Sequence, residues 1–313
     1  MLGKNLISSV LTQIPVFILG VVSGVFSTRI LGEEAKGAFA IFQANTQLFT
    51  LVFSLGIQTG IVYFISSKKI TENRVAGMSI CIFSFASILL LIIIFLGSSY
   101  NFTEVFLVKE FTSNLYLIVL YLLFLMTFFI SIISSFFQAH SKFRIINFIS
   151  IVNSVINAAL FLFLFIYFQS KNLTANERFD YVLYGTLASL FINSSLWLYF
   201  QIKELKITPD FKFKFKNQFI PFISYNMVIY LGTFINFFNY RLDLWIVNQY
   251  LDKKNLSYYS LATNINQIIL YVSVTIGTVM LPNLAKKNTE ERIKTFSQIS
   301  RFSFTFFIVL TVF

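Results

Sequence analysis

Residues 79–97 read SICIFSFASILLLIIIFLG, a run of 19 residues without a charged side chain. Residues 115–137 extend the same pattern over 23 residues, and residues 145–168 show it again. A helix needs about 20 mostly apolar residues to cross a hydrocarbon layer of about 30 Å. Strands of a membrane barrel would alternate between polar and apolar residues instead. The sequence therefore predicts an all-α, polytopic transmembrane helical bundle.

Composition supports the same fold class. The chain has 313 residues, of which 57% are hydrophobic and 12% charged, whereas a soluble domain carries about 25% charged residues. The last apolar run ends without a polar tail, so we expect further helices in the full-length protein. The apolar runs predict eight complete helices and the start of a ninth, at 6–28, 38–66, 76–98, 113–138, 145–168, 181–202, 219–248, 257–281 and from 299 onward.

A short motif occurs twice, 218 residues apart. Residues 68–74 read KKITENR and residues 286–292 read KKNTEER, with five of seven positions identical. Each copy stands between two long apolar runs, which favours an internal repeat of the kind that builds many transporters. We therefore predict a six-helix lobe at 1–202, a basic linker at 203–218 and the start of a second lobe at 219–313.

The charges separate alternate loops into two sets. One set holds sixteen basic and five acidic residues, and the other holds seven of each. Basic residues favour the cytoplasmic side of a membrane, so we predict a cytoplasmic N-terminus. This pattern accounts for the net charge of +11 without a nucleic-acid partner, and anionic membrane lipids are expected partners instead.

Two charged residues stand inside a predicted helix. Arg241 and Asp243 lie in the outer part of the seventh helix, where charged side chains usually face a cavity or a partner. The pair is interpreted either as an anion-binding arginine with an acidic neighbour or as an interfacial pair reaching the headgroups.

Amide side chains form helical stripes in three of the predicted helices. Any single amide is adequately explained by a hydrogen bond between helices, worth about 0.6 kcal/mol. Three stripes together favour the wall of a hydrated cavity that suits sugars, since bare amides in hydrocarbon are costly. The predicted binding residues in these stripes are Gln43, Gln47 and Gln58, then Asn153 and Asn157, then Asn264 and Gln267.

Three segments resemble a known family. These are STRILGEEAKGAF at 27–39, YRLDL at 240–244 and LSYYSLA at 256–262. They are similar to segments of bacterial polysaccharide-export flippases, which belong to the multidrug/oligosaccharidyl-lipid/polysaccharide exporter superfamily. Arg241 and Asp243 stand at the position of that family's Arg-x-Asp motif.

The resemblance implies two six-helix lobes around a central cavity, with the second lobe incomplete in this chain. It also implies that the protein flips an undecaprenyl-pyrophosphate-linked oligosaccharide from the inner to the outer leaflet by alternating access. Glycan assembly proteins are further expected partners. No cofactor or metal is expected, and neither is enzymatic activity.

Two other readings stay open. A drug or cation antiporter of the same superfamily would need acidic residues in its helices, and Asp243 is the single candidate. A membrane glycan polymerase or glycosyltransferase would need a large outer loop or a cluster of acids and histidines. The predicted outer loops are short, and His140 is the single histidine.

Overall fold

The computed structural model describes the backbone of residues 2–99, 114–169, 171, 173–285 and 287–312. These residues form an α-helical bundle, which confirms the predicted fold class. Its nine helices are α1 (Leu2–Ser54), α2 (Ile57–Ser66), α3 (Glu72–Ser99), α4 (Asn114–Ala139), α5 (Phe143–Gln169), α6 (Ala175–Phe200), α7 (Ile220–Tyr250), α8 (Lys253–Ala285) and α9 (Thr289–Val312).

Helix α1 is sharply broken at Gly32, whose φ of 70° and ψ of −174° are not helical. The ammonium group of Lys36 donates a hydrogen bond of 2.8 Å to the hydroxyl of Ser27. Nine residues of a straight helix would rise about 13.5 Å, so this contact requires the chain to fold back. The break therefore separates an N-terminal arm from a C-terminal arm, where the sequence predicts a loop between two helices.

The prediction of the second helix was wrong in one respect, because the helix over residues 38–66 is interrupted. Leu55 and Gly56 both have positive φ, at 49° and 69°. The segments Ala35–Ser54 and Ile57–Ser66 meet there at a bend of 49°. Left-handed residues interrupt the helical hydrogen-bond ladder. The second crossing therefore consists of two half-helices, the C-terminal arm of α1 and α2.

Among the described residues, six helices are long and apolar enough to cross a membrane, and the bent pair makes a seventh crossing. The predicted helices at 257–281 and from 299 onward form α8 and α9, which are not among these seven. Large apolar side chains such as Phe85, Phe95 and Val228 are exposed on the outside of the bundle. Such a surface suits lipid rather than water, and the chain is a multi-pass membrane protein.

The loops lie at two ends of the bundle, as the charge pattern predicts. Lys142 pairs with Glu204 at 3.1 Å, which joins two loops of the basic set. Lys254 pairs with Glu33 at 3.0 Å, which joins two loops of the other set. We call these the basic end and the opposite end. Both copies of the repeated motif lie at helix junctions, the first between α2 and α3 and the second, six helices later, between α8 and α9.

Two apolar clusters hold α7 against the preceding helices. The first cluster joins α1, α4, α5 and α6 and includes Leu244 of α7 and Leu256 of α8. The second joins α2, α3 and α4 and includes Phe222 of α7. Helix α7 is therefore anchored near both of its ends, while much of its middle is exposed. The division into two lobes at 203–218 stays a prediction.

Candidate functional site

The C-terminal arm of α1 exposes two glutamines from an otherwise buried stretch. Residues 35–42 and 44–46 are buried, whereas Gln43 and Gln47 are exposed. A surface in contact with hydrocarbon would present apolar side chains, because an amide without a hydrogen-bond partner is costly there. This pair, which we call the glutamine strip, is therefore an unusual surface for a helix that faces hydrocarbon.

Helix α7 contributes two amides that the sequence analysis missed. Asn236 and Asn239 are both exposed, and Asp243 is half-buried. Residues three, four and seven apart share one face of a helix, so these three side chains lie along one polar stripe of α7. The spacing of residues 236, 239 and 243 could have revealed this polar stripe from the sequence alone.

Asp243 connects α7 to α8. Its carboxylate accepts a hydrogen bond from the hydroxyl of Tyr259 and one of 2.8 Å from the backbone N–H of Leu244. The backbone of Arg241 lies in α7 two residues earlier, and its side chain lies outside the described residues. The binding role predicted for the pair stays a prediction.

The opposite end is joined across α1, α7 and α8. The indole N–H of Trp245 donates to the amide oxygen of Asn45 at 3.2 Å, and the hydroxyl of Tyr258 donates to Glu33 at 2.6 Å. Lys254 completes this opposite-end contact through its ion pair with Glu33. The hydrogen bond to Glu33 raises the pKa of Lys254 above its ordinary value, so Lys254 stays charged at neutral pH.

The basic end is joined by close packing between α2 and α7. The rings of Tyr63 and Tyr225 stack with centroids 4.3 Å apart. At Gly60, an added Cβ would lie 2.0 Å from the side-chain oxygen of Asn226, and at Gly56 it would lie 2.9 Å from the backbone oxygen of Asn226. Two glycines are therefore what lets α7 approach so closely in this basic-end contact.

Asn226 is an unusual residue to place at such a contact. It is fully buried, and neither polar atom of its side chain has a hydrogen-bond partner among the described residues. Each buried polar group left unpaired costs about 1–3 kcal/mol. The amide therefore opposes the packing that closes the basic end.

Of the other predicted amides, Asn157 and Gln58 bind neighbouring helices, and the side chains of Asn264 and Gln267 lie outside the described residues. The buried side-chain oxygen of Asn153 has no hydrogen-bond partner among the described residues. The oxygen of Asn157 accepts a hydrogen bond of 2.9 Å from Ser189 of α6, and its amino group donates to the backbone of Asn153 at 3.1 Å. Gln58 donates to Ser131 of α4 at 3.2 Å. The structure thus leaves Gln43 and Gln47 exposed, whereas Asn157 links α5 to α6 and Gln58 links α2 to α4.

Comparison with known proteins places this architecture. The sequence profile of the polysaccharide biosynthesis proteins matches residues 2–288. The chain belongs to that family. The chain is similar to a solved structure, "MATE transporter ClbM in complex with Rb+", with a TM-score of 0.61 at 17% identity. The similarity covers 100% of this chain and 70% of the transporter, and it shows a shared fold. No curated protein sequence matches the chain significantly.

Proposed function

We propose that this protein flips a polyprenyl-pyrophosphate-linked oligosaccharide, of the undecaprenyl type, from the inner to the outer leaflet of a bacterial inner membrane. Membership of the polysaccharide biosynthesis family indicates a glycan pathway, and the fold is that of a membrane exporter. A glycan intermediate built on a lipid inside the cell has to cross the membrane before it reaches the surface.

The observation that carries the proposal is the glutamine strip. Gln43 and Gln47 stand exposed on an arm that is otherwise buried from 35 to 46. Amide side chains both donate and accept hydrogen bonds, which matches the hydroxyl groups of a sugar. Asn236 and Asn239 of α7 add amides of the same kind. The oligosaccharide would move along these groups.

The remaining parts of the substrate have matching features. A pyrophosphate suits the planar, always charged guanidinium of Arg241, which can bind two oxygens at once. The polyprenyl chain can stay in the bilayer, because the middle of α7 exposes a face of large apolar residues, Val228, Leu231 and Ile235.

Alternating access would use the two contacts at the ends of the bundle. Opening the basic-end contact admits the substrate from the cytoplasmic leaflet, and opening the opposite-end contact releases it. Each contact is small. The ion pair between Lys254 and Glu33 is about half exposed on both sides, so solvent screens it and it contributes little. Asn226 weakens the other contact through its unpaired amide.

Reconstituted protein in vesicles loaded with a fluorescent lipid-linked oligosaccharide tests the proposal. The wild type should move the label across the bilayer, and Arg241→Ala or Gln43→Leu with Gln47→Leu should abolish the movement. Lys171→Ala, at an exposed lysine outside both end contacts, is the matched control and should move the label normally. Equal movement by Arg241→Ala and Lys171→Ala would remove Arg241 from the site.

A deletion strain supplies the second test. Loss of the gene should leave lipid-linked intermediates in the inner leaflet and remove the surface glycan. Unchanged surface glycan, in a strain without a redundant exporter, would overturn the flippase proposal. Cation or drug flux by the same vesicles would then point to the antiporter reading.

A further inference from the structure

The connection between α6 and α7 forms a distinct element that we call the strap, residues 201–219. It begins with a π-helical turn at Gln201–Leu205, continues as extended chain, and ends with a second π-helical turn at Phe215–Phe219. The candidate span Ala175–Leu205 has 31 residues, or about 46 Å of helix, which exceeds the hydrocarbon thickness of about 30 Å. The strap therefore starts at the membrane surface of the basic end.

Both acidic residues of the strap pair with basic residues that precede it in the chain. The carboxylate of Asp210 pairs with Arg74 of α3 at 3.4 Å, and its backbone N–H donates to the carbonyl of Asn73 at 2.8 Å. Glu204 pairs with Lys142 at 3.1 Å. These contacts attach the strap to the preceding part of the bundle, and both of its negative charges are paired with basic residues.

The strap backbone touches α3 directly at Gly77. A Cβ added at Gly77 would lie 2.2 Å from the carbonyl oxygen of Asp210, so only a glycine permits this approach. Apolar side chains on the same side of the strap complete the attachment. They pack against the cluster of α2, α3 and α4, and they are Leu205, Ile207, Phe213 and Phe219.

The outward side of the strap has the opposite character. Two of its phenylalanines, Phe211 and Phe215, are 58% and 64% exposed. Five lysines are exposed beside them, and no described acidic side chain lies within ion-pair distance of any of the five. These lysines are Lys203, Lys206, Lys212, Lys214 and Lys216.

We infer that the strap binds the headgroups of anionic phospholipids, with Phe211 and Phe215 inserted at the interface between headgroups and acyl chains. Unpaired lysines are attracted to an anionic leaflet within about a Debye length, and aromatic rings are favoured at the membrane interface. The inference rests on the membrane topology and does not depend on the substrate that is transported.

Site-directed fluorescence tests this inference in the whole protein. In a Cys81→Ser background, Phe211→Cys carries an environment-sensitive dye, and the protein is reconstituted in vesicles with brominated lipids as quenchers. At equal mole fraction, brominated phosphatidylglycerol should quench the dye about twofold more than brominated phosphatidylcholine. Raising the salt from 0.1 M to 1 M should remove the difference, because the Debye length falls from about 10 Å to about 3 Å.

Two variants make the result decisive. Exchange of Lys206, Lys212, Lys214 and Lys216 for glutamine should bring the quenching ratio to about one while phosphatidylcholine still quenches the dye. A dye on Lys171→Cys, at the opposite end, should show no preference for the anionic lipid. Equal quenching by both lipids in the protein with its lysines intact would overturn the inference. Absence of any quenching would also overturn it and would leave a soluble acidic partner as the occupant.

Discussion

Substitution of Gly56 by alanine should destabilise the basic-end contact. Gly56 has a φ of 69°, and the left-handed conformation costs a residue with a Cβ about 1–2 kcal/mol. The new Cβ would also lie 2.9 Å from the backbone oxygen of Asn226 and 3.4 Å from the Cβ of Tyr230. Overpacking of this kind costs about 1–3 kcal/mol.

The two effects together predict a loss of about 2–5 kcal/mol in the free energy of unfolding. The backbone of α7 cannot move aside as a flexible side chain could, so little of this cost is relieved. Thermal unfolding of the purified protein in detergent, followed by tryptophan fluorescence, should show a melting temperature lowered by several degrees.

Gly232→Ala is the matched control on the facing helix. No atom lies within 4 Å of an added Cβ at Gly232, and alanine is favoured over glycine inside a helix by about 0.5–1 kcal/mol. Its melting temperature should be unchanged or slightly raised. If Gly56→Ala melts at the same temperature as Gly232→Ala, the close approach of α2 and α7 is not what holds the basic end together.

Three further substitutions probe other contacts. Asn226→Leu replaces two unpaired polar atoms by methyl groups and keeps the number and branching of the side-chain heavy atoms, so it should raise the free energy of unfolding by about 1–3 kcal/mol and slow transport by favouring the closed state. Tyr259→Phe removes the hydroxyl that donates to Asp243 and should lower stability by about 1.5–3 kcal/mol in thermal unfolding. Gly77→Ala places a Cβ 2.2 Å from the carbonyl of Asp210 and should loosen the strap, which limited proteolysis would detect as faster cleavage at its lysines.

Each of these three substitutions has a control variant or an outcome that would contradict it. Tyr258→Phe loses an exposed hydrogen bond and should cost less than Tyr259→Phe, so equal losses would contradict the role given to Asp243. Gly24→Ala adds a Cβ with no atom within 4 Å and should leave strap cleavage unchanged. A lower melting temperature for Asn226→Leu would show that its amide is satisfied in solution.

The helices and the two ends of the bundle could be predicted from the sequence because both depend on local composition. An uncharged run such as 79–97 can form little other than a membrane helix. The basic residues of each loop can likewise be counted from the sequence, without knowledge of the packing. The Lys142–Glu204 and Lys254–Glu33 pairs then join loops within the predicted sets.

The break at Gly56 could not be predicted in the same way. The break is packed against Asn226, which follows 170 residues later in the chain. The partners of the amides are equally non-local, since Asn157 binds a serine of the next helix while Gln43 stays exposed. Periodicity identifies a polar face, but only packing decides whether that face meets another helix or an open space.

The bend in the second crossing also affects how the chain is assembled in the membrane. Helix α2 has 10 residues, or about 15 Å, half of what a lone helix needs to cross the hydrocarbon. Its buried face packs against Phe124 and Phe128 of α4 and Phe222 of α7, all of which emerge from the ribosome later. The half-helix therefore completes its packing only when α7 has been made, long after its own residues have entered the bilayer.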